Sequence, residues 1–151
     1  MKTKILVAIA LLLALVSAAA CTAANAAPAD KTDQVTKEIA ITNADEFNQN
    51  QHIQKEVEIA RGETLVVKLF SNGTTGFSWD ENALIADTGI VQQLNHEVIA
   101  ADSNALGAPG AEQWTFQTEK AGTTNIHLEY SRPWEGGEKG VYTFDLTVTV
   151  K

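Results

Sequence analysis

Apolar residues recur at every second position near the C-terminal end of the chain, and this period constrains the fold more than any other feature. Across residues 142–150 an apolar residue alternates with threonine or aspartate. A β-strand points successive side chains to opposite faces, so one face of this segment is expected to be buried and the other wet. The expected buried face consists of Tyr142, Phe144, Leu146, Val148 and Val150.

The same period predicts strands along most of the chain. It also places on buried faces Leu65, Val67, Leu69, Trp114, Phe116, Ile126, Leu128 and Tyr130. Further strands are predicted near residues 37–42, 53–59, 77–80 and 91–99. Seven or eight strands separated by Gly, Asn, Asp and Pro predict an all-β, immunoglobulin-like sandwich, although the Cys-Trp-Cys pattern of antibody domains is absent. Residues 43–50 and 80–87 could each hold a helical turn, but neither has the apolar periodicity of a core helix.

The N-terminal residues have the layout of an export signal. Lys2 and Lys4 precede an apolar run over residues 5–16, and small residues then lead to Cys21. A run of this length is too short to cross the ~30 Å hydrocarbon core of a bilayer as a helix. We interpret residues 1–20 as a lipoprotein-type signal peptide and Cys21 as the lipidated mature N-terminus. Cleavage after Ala26, which would discard Cys21, is the alternative.

Composition separates a spacer from one domain. Residues 21–34 offer almost nothing to bury and are predicted to be a flexible spacer, which leaves residues 35–151 for a single domain. The only cysteine is Cys21, so no disulfide is expected. The formal charge of -8 argues against nucleic acid and anionic membrane as partners, since both attract basic surfaces. We expect an exported monomer in the periplasm or outer membrane, with membrane contact only through the lipid.

Three loops between the predicted strands have compositions that strand connections do not require. One is rich in glycine and threonine, one in glycine and proline, and the third offers a tryptophan between proline and glutamate. An exposed tryptophan in such a loop is typical of residues that anchor interfaces. The chain is therefore predicted to be a binding protein. The loop residues are Asn72, Gly73, Thr74, Thr75, Gly76 and Phe77; Leu106, Gly107, Ala108, Pro109 and Gly110; and Arg132, Pro133, Trp134 and Glu135.

Catalytic and metal-binding patterns find little support. His52, His96 and His127 fall in three separate predicted strands and have no paired spacing. Cys21 lies in the export signal and cannot serve this domain as a nucleophile. We therefore expect no enzyme activity, no metal and no cofactor.

The three loops, in this order, resemble those of the chagasin family of inhibitors of papain-like cysteine peptidases. The resemblance covers about residues 53–151. It implies an immunoglobulin-like sandwich whose three loops form a wedge, and a reversible, tight-binding inhibitor that occludes the active-site cleft. The family usually has proline where this chain has Gly73, so a looser first loop and weaker binding are expected.

The resemblance also implies a role for each loop. Thr74, Thr75 and Gly76 would enter the catalytic cleft, with the backbone of the two threonines against the catalytic cysteine and histidine. Arg132 and Trp134 would pack beside the cleft on its primed side. Residues 106–110 would clamp the opposite flank.

Other interpretations of the same residues remain open. Asn72-Gly73 alone is typical of an ordinary hairpin turn, and Trp134 could cap the end of the core. Trp79, Trp114 and Phe77 are expected to be structural. The alternative functions are an immunoglobulin-like adhesion or carbohydrate-binding module of the cell envelope, and a structural envelope lipoprotein.

Overall fold

The computed structural model describes residues 36–101 and 107–151. Nine strands and one short α-helix lie in these ranges, together with a 3-10 turn at Gly73–Thr75. The elements are β1 (Thr36–Ile41), α1 (Ala44–Gln49), β2 (His52–Ile59), β3 (Thr64–Ser71), β4 (Ser78–Trp79), β5 (Leu84–Ile85), β6 (Val91–Ile99), β7 (Gly110–Thr118), β8 (Gly122–Ser131) and β9 (Tyr142–Val150).

The strands form two sheets. One has the order β1-β3-β7-β6, and the other has the order β2-β9-β8-β4 with β5 added to β8. The pairs β1–β3 and β2–β9 are parallel, and the remaining pairs are antiparallel. The all-β prediction is confirmed, and the described residues contain no cysteine that could form a disulfide.

Both sheets contribute to one apolar core, and the alternation in the sequence explains which residues enter it. In β9, Phe144, Leu146 and Val148 are fully buried, whereas Asp145 and Thr147 between them, and Tyr142 at the start of the strand, are only partly buried. Burial of a side chain of this size contributes ~1.5–3 kcal/mol. The other residues predicted to face inward are buried as well: Leu65, Val67, Leu69, Trp114, Phe116, Ile126, Leu128 and Tyr130.

Short elements account for the differences from the sequence prediction. The strand number exceeds the expected seven or eight because β5 has only two residues, too few to show a period, whereas β4 lies within the strand predicted near residues 77–80. The suggested helical turn over 80–87 is wrong, since this segment contains β5, which pairs with β8. The turn over 43–50 is present as α1, whose Phe47 is buried and stacks on Tyr142 at 4.2 Å between ring centroids.

The helix α1 begins where the sequence favours it. The Asn43 side chain accepts hydrogen bonds from the N–H groups of Asp45 and Glu46, which is the usual role of an N-cap asparagine.

Within the described residues, no helix combines the length and the apolar character that crossing a membrane requires.

Candidate functional site

The three loops singled out by sequence lie at one end of the two sheets. The first loop, residues 72–77, joins β3 to β4. The second loop joins β6 to β7 and is described from Gly107 onward, so Leu106 lies outside the described residues. The third loop, residues 132–141, joins β8 to β9. Strand register brings the loops together, because Ser71 pairs with Gly110, and Ser78 pairs with Ser131.

The first loop is a tight turn held by Asn72. Its side-chain oxygen accepts hydrogen bonds from the Thr74 N–H at 3.2 Å and from the Thr74 hydroxyl at 2.6 Å. The Thr75 hydroxyl donates to the Asn72 carbonyl oxygen at 2.7 Å, and the Asn72 N–H donates to the Tyr130 hydroxyl oxygen at 3.0 Å. Thr74 and Thr75 are exposed, so the turn presents two small polar residues on an ordered backbone.

Gly76 ends this turn, and two independent constraints favour glycine there. Its φ of 79° lies in the left-handed region, which glycine adopts without steric cost. A Cβ atom at this position would also lie 2.7 Å from the Trp134 ring. The indole therefore packs directly over the Gly76 backbone while remaining 52% exposed. This contact joins the third loop to the first.

Arg132 makes a second connection between these two loops. Its guanidinium lies 4.4 Å from the centroid of the Phe77 ring and 5.9 Å from that of Trp134, within the range of cation–π attraction. One guanidinium nitrogen donates to the Thr75 carbonyl oxygen at 3.5 Å, and another pairs with Glu138 at 2.9 Å. Arg132 thus orders the loops around it as well as offering charge.

The remainder of the third loop is closed by its own backbone and by Lys139. The ammonium of Lys139 donates to the carbonyl oxygens of Arg132, at 2.6 Å, and Trp134, at 3.3 Å. The Gly137 N–H also donates to the Trp134 carbonyl oxygen. Pro133 and Glu135 are exposed on either side of the tryptophan. The Trp134 side chain is therefore exposed on a loop whose backbone is held by hydrogen bonds.

The second loop lies on the other flank of the first. The Asn72 amide donates to the Gly107 carbonyl oxygen at 3.4 Å, which joins the two loops. Gly110 packs so closely on β6 that a Cβ atom there would overlap the Ile99 carbonyl oxygen. An open groove of about 570 Å³ separates the first loop from Ala108 and the exposed Val98.

The structure decides several of the alternatives that the sequence left open. Asn72-Gly73 is not a hairpin turn, because β3 and β4 belong to different sheets. Trp79 and Trp114 lie in the core, as expected. Phe77 is half-buried and stacks on Tyr130 at the base of the first loop, with 5.5 Å between ring centroids.

Four residues that hold the loops in place were not assigned to the site by sequence reasoning. Three of them make the hydrogen bonds described above: Tyr130, Glu138 and Lys139. The fourth, Glu112, accepts hydrogen bonds from Ser71 and Trp79, which lie on either side of the first loop. Only Glu112 leaves a local signal. It shares the inward face of β7 with Trp114 and Phe116, so the period-two pattern places an acidic residue in the core.

The loop end of the molecule has the features of a binding surface. No group of three His, Cys, Asp or Glu side chains in residues 36–101 and 107–151 could hold a metal ion. The exposed features include the threonine turn, the Trp134 ring and Gly107, which contacts between the loops hold together.

Comparisons with known proteins agree with this description. A family model for the Chagasin family peptidase inhibitor I42 matches residues 58–148, which include all three loops. Chagasin of Trypanosoma cruzi is 34% identical over 80 residues, covering 52% of this chain and 73% of that protein. Amoebiasin-2 of Entamoeba histolytica is 27% identical over 95 residues, covering 63% of this chain and 76% of its own.

Solved structures show the same fold. The cysteine protease inhibitor EhICP2 from Entamoeba histolytica matches with a TM-score of 0.59 at 22% identity, over 77% of this chain and 97% of that one. PbICP-C, solved in complex with falcipain-2, matches with a TM-score of 0.52 at 21% identity, over 76% and 99%. Because the family model spans all three loops and most of the two sheets, the chain belongs to the chagasin family of peptidase inhibitors.

Proposed function

We propose that this chain is a reversible inhibitor of papain-like cysteine peptidases and that the first loop occupies the catalytic cleft. The observation that carries the proposal is the exposed Thr74–Thr75 turn, which is ordered by Asn72 and flanked by Trp134 and Gly107. Family membership supports inhibition in place of catalysis. The fold neighbour PbICP-C, which was solved bound to falcipain-2, supports a cysteine peptidase as the target.

The geometry of the turn explains how it would enter a narrow cleft without being cleaved. Short side chains at Thr74 and Thr75 allow the backbone to approach closely, and their hydroxyl groups can pair with polar groups that binding would otherwise bury unpaired. Gly76 then turns the chain through a left-handed conformation. The segment is therefore curved where an extended peptide substrate would continue along the cleft.

Order within the free inhibitor supports tight binding. A loop that is already fixed loses less conformational entropy when it binds. Three contacts between loops supply this order: the Asn72 amide on Gly107, the Arg132 guanidinium on Thr75, and the Trp134 ring on Gly76. We propose that Trp134 and Arg132 contact the primed side of the cleft and that the second loop contacts the other flank.

Titration of active papain with the purified domain tests this function. The wild-type domain should inhibit reversibly, and replacement of both Thr74 and Thr75 by lysine should abolish inhibition and leave the fold intact. Thr88 and Thr123 are also exposed but lie away from the three loops, so the same double replacement there is the matched control. Equal inhibition by both double variants would show that the first loop does not enter the cleft.

We also propose that the two sheets form an immunoglobulin-like sandwich. The apolar core that the two sheets share supports this proposal.

We propose further that residues 1–20 deliver the domain to the cell envelope. The lysines, the apolar run and the small residues before Cys21 support this proposal. If Cys21 is lipidated, the full-length protein should partition with membranes, and Cys21→Ala should release or misprocess it. A mature N-terminus at Ala27 without lipid, measured by intact mass, would contradict the lipid anchor.

A further inference from the structure

Glu112 is an acidic residue at the centre of the loop end of the molecule, and it is only 2% exposed. It lies two residues after Gly110, where β7 leaves the second loop, and its side chain faces the same side as the core residue Trp114. Removing a carboxyl group from water costs free energy unless hydrogen-bond donors surround it. The donors around Glu112 therefore indicate what this residue does.

The donors come from both ends of the first loop. One carboxyl oxygen of Glu112 accepts from the Ser71 hydroxyl at 2.7 Å and from the Trp79 backbone N–H at 3.1 Å. Ser71 is the last residue of β3, and Trp79 lies in β4 just after the loop. Since β3 and β4 belong to different sheets, this single oxygen fixes the separation of the two ends of the loop across the core.

The second carboxyl oxygen extends the cluster to β6. It lies 2.9 Å from Nε2 of His96, whose ring packs on Trp114 with 4.9 Å between ring centroids. Glu112 thus contacts strands that lead into both the first and the second loop. We name Glu112, Ser71, Trp79 and His96 the Glu112 cluster.

Buried polar side chains are concentrated beneath the loops. Five are buried in the described ranges, and three of them lie within two residues of one of the three loops. Ser71 precedes the first loop, Glu112 follows the second, and Ser131 precedes the third, where its hydroxyl accepts from the Gly140 N–H at 2.9 Å. The other two are Thr118 and Thr124, which lie away from the loops.

We infer that Glu112 is a positioning residue for inhibition: its carboxyl group joins the ends of the first loop and thereby holds Thr74 and Thr75 in the conformation that enters the cleft. The inference rests on the inhibitory function proposed above. Without the carboxyl group, the Ser71 hydroxyl and the Trp79 N–H lose their shared acceptor in the core. The loop would then sample conformations that do not bind.

The test compares Glu112→Ala with the conservative Glu112→Gln. A glutamine can still accept from Ser71 and Trp79 through its carbonyl oxygen and can donate its amide to His96. If the alanine variant holds the binding conformation in about a tenth of its molecules, its inhibition constant for papain rises roughly tenfold per folded molecule. The glutamine variant should remain close to wild type.

A readout on the free inhibitor separates positioning from simple stability. The N–H groups of Thr75 and Gly76 are hydrogen-bonded within the first loop, so their exchange with solvent, measured by NMR, reports its order. Glu112→Ala should lose this protection. Thr118→Val is the matched control, because its hydroxyl bonds the Ala60 and Glu63 carbonyl oxygens away from the loops. It should lower the melting temperature and leave both the inhibition constant and loop exchange unchanged.

The possible outcomes are decisive. Unchanged inhibition and unchanged loop exchange in folded Glu112→Ala would overturn the inference and leave Glu112 as a core residue only. If Glu112→Ala does not fold, Ser71→Ala, which removes one of the bonds, decides in its place by the same measurements. If the wild type itself does not inhibit papain, the proposed function fails, and loop exchange alone then decides whether Glu112 orders the first loop.

Discussion

At the scale of single residues, Trp134 differs from the other two tryptophans. Trp79 and Trp114 are 3% and 0% exposed, and their indole N–H groups donate to the carbonyl oxygens of Phe70 and Asp80. Trp134 has half of its surface in solvent and rests on the backbone of Gly76. Large exposed aromatic side chains that are held in place are the residues that most often dominate an interface.

Trp134→Ala is therefore expected to weaken papain binding by roughly 2 kcal/mol or more, about thirtyfold in affinity. The melting temperature should barely change, because the ring covers little of the core. Inhibition constants and thermal unfolding of the same preparation measure the two effects.

Trp79→Ala and Trp114→Ala should have the opposite effect. Each leaves a cavity in the core, and the free energy of unfolding should fall by ~3–5 kcal/mol. If Trp134→Ala unfolds the domain while affinity per folded molecule is unchanged, Trp134 belongs to the core and the third loop is not the contact surface we propose.

At the scale of elements, the first loop tolerates a residue that would stiffen it. Gly73 begins the 3-10 turn, its φ is not positive, and a Cβ atom there would meet nothing within 4 Å. Proline is favoured at the first position of a helical turn, since its φ is already fixed near the required value. Glycine at this position leaves the unfolded chain with freedom that folding must remove.

Gly73→Pro is expected to raise the free energy of unfolding by about 0.4–1 kcal/mol and to tighten papain binding modestly. Denaturant unfolding and inhibition constants provide the measurements. Gly62→Pro is the contrasting control, because Gly62 has a φ of 84° and donates its N–H to the Thr118 carbonyl oxygen, so proline there should destabilise the domain. Weaker binding by Gly73→Pro would show that the complex uses the freedom of the glycine.

Eight of the nine strands could be predicted from sequence, and the two-residue β5 could not. The predicted strands at 53–59 and 91–99 correspond to β2 and β6 within one residue, and in β2 the buried residues Ile53, Val57 and Ile59 keep the period of two. The two residues of β5 are a strand only because β8 offers them hydrogen bonds. For the site, the loops were visible as motifs, but the hydrogen bond from the Asn72 N–H to the Tyr130 hydroxyl oxygen spans 58 residues and leaves no local pattern.

At the scale of the whole molecule, the sheet that contains β8 and β9 has a histidine paired with two carboxylates on its outer face. Nδ1 of His127 lies 2.6 Å from the Asp145 carboxylate, and Nε2 lies 3.6 Å from Glu129. The hydrogen bond with Asp145 raises the pKa of His127 above 6.5, with Glu129 adding to the effect and partial burial opposing it. The folded state therefore holds this proton more tightly than the unfolded state does.

The pH dependence of stability follows from this direction. The contribution of the pair is complete below pH 6.5 and is lost as pH rises through the higher pKa of the folded state. Asp145→Asn should thus lower the free energy of unfolding at about pH 5 more than at about pH 8, by under ~1 kcal/mol because the pair is partly exposed. Urea denaturation of the wild type and the variant at both pH values measures this change in the free energy of unfolding. Glu129→Gln should show a smaller difference, and an equal loss at both values would contradict the assignment.

The position of β9 governs the order in which the chain can fold. This last strand of the sequence lies inside its sheet, between β2 and β8, and its Thr143 is bonded to His52 across a separation of 91 residues. Until residues 142–150 are present, β2 has no neighbour in the sheet and the core lacks the side chains of Phe144, Leu146 and Val148. Folding that depends on such distant pairing is slow, on the scale of milliseconds to seconds. An incomplete chain emerging from the ribosome is therefore expected to stay unfolded, the state in which the export that we propose for residues 1–20 would pass it through a narrow channel.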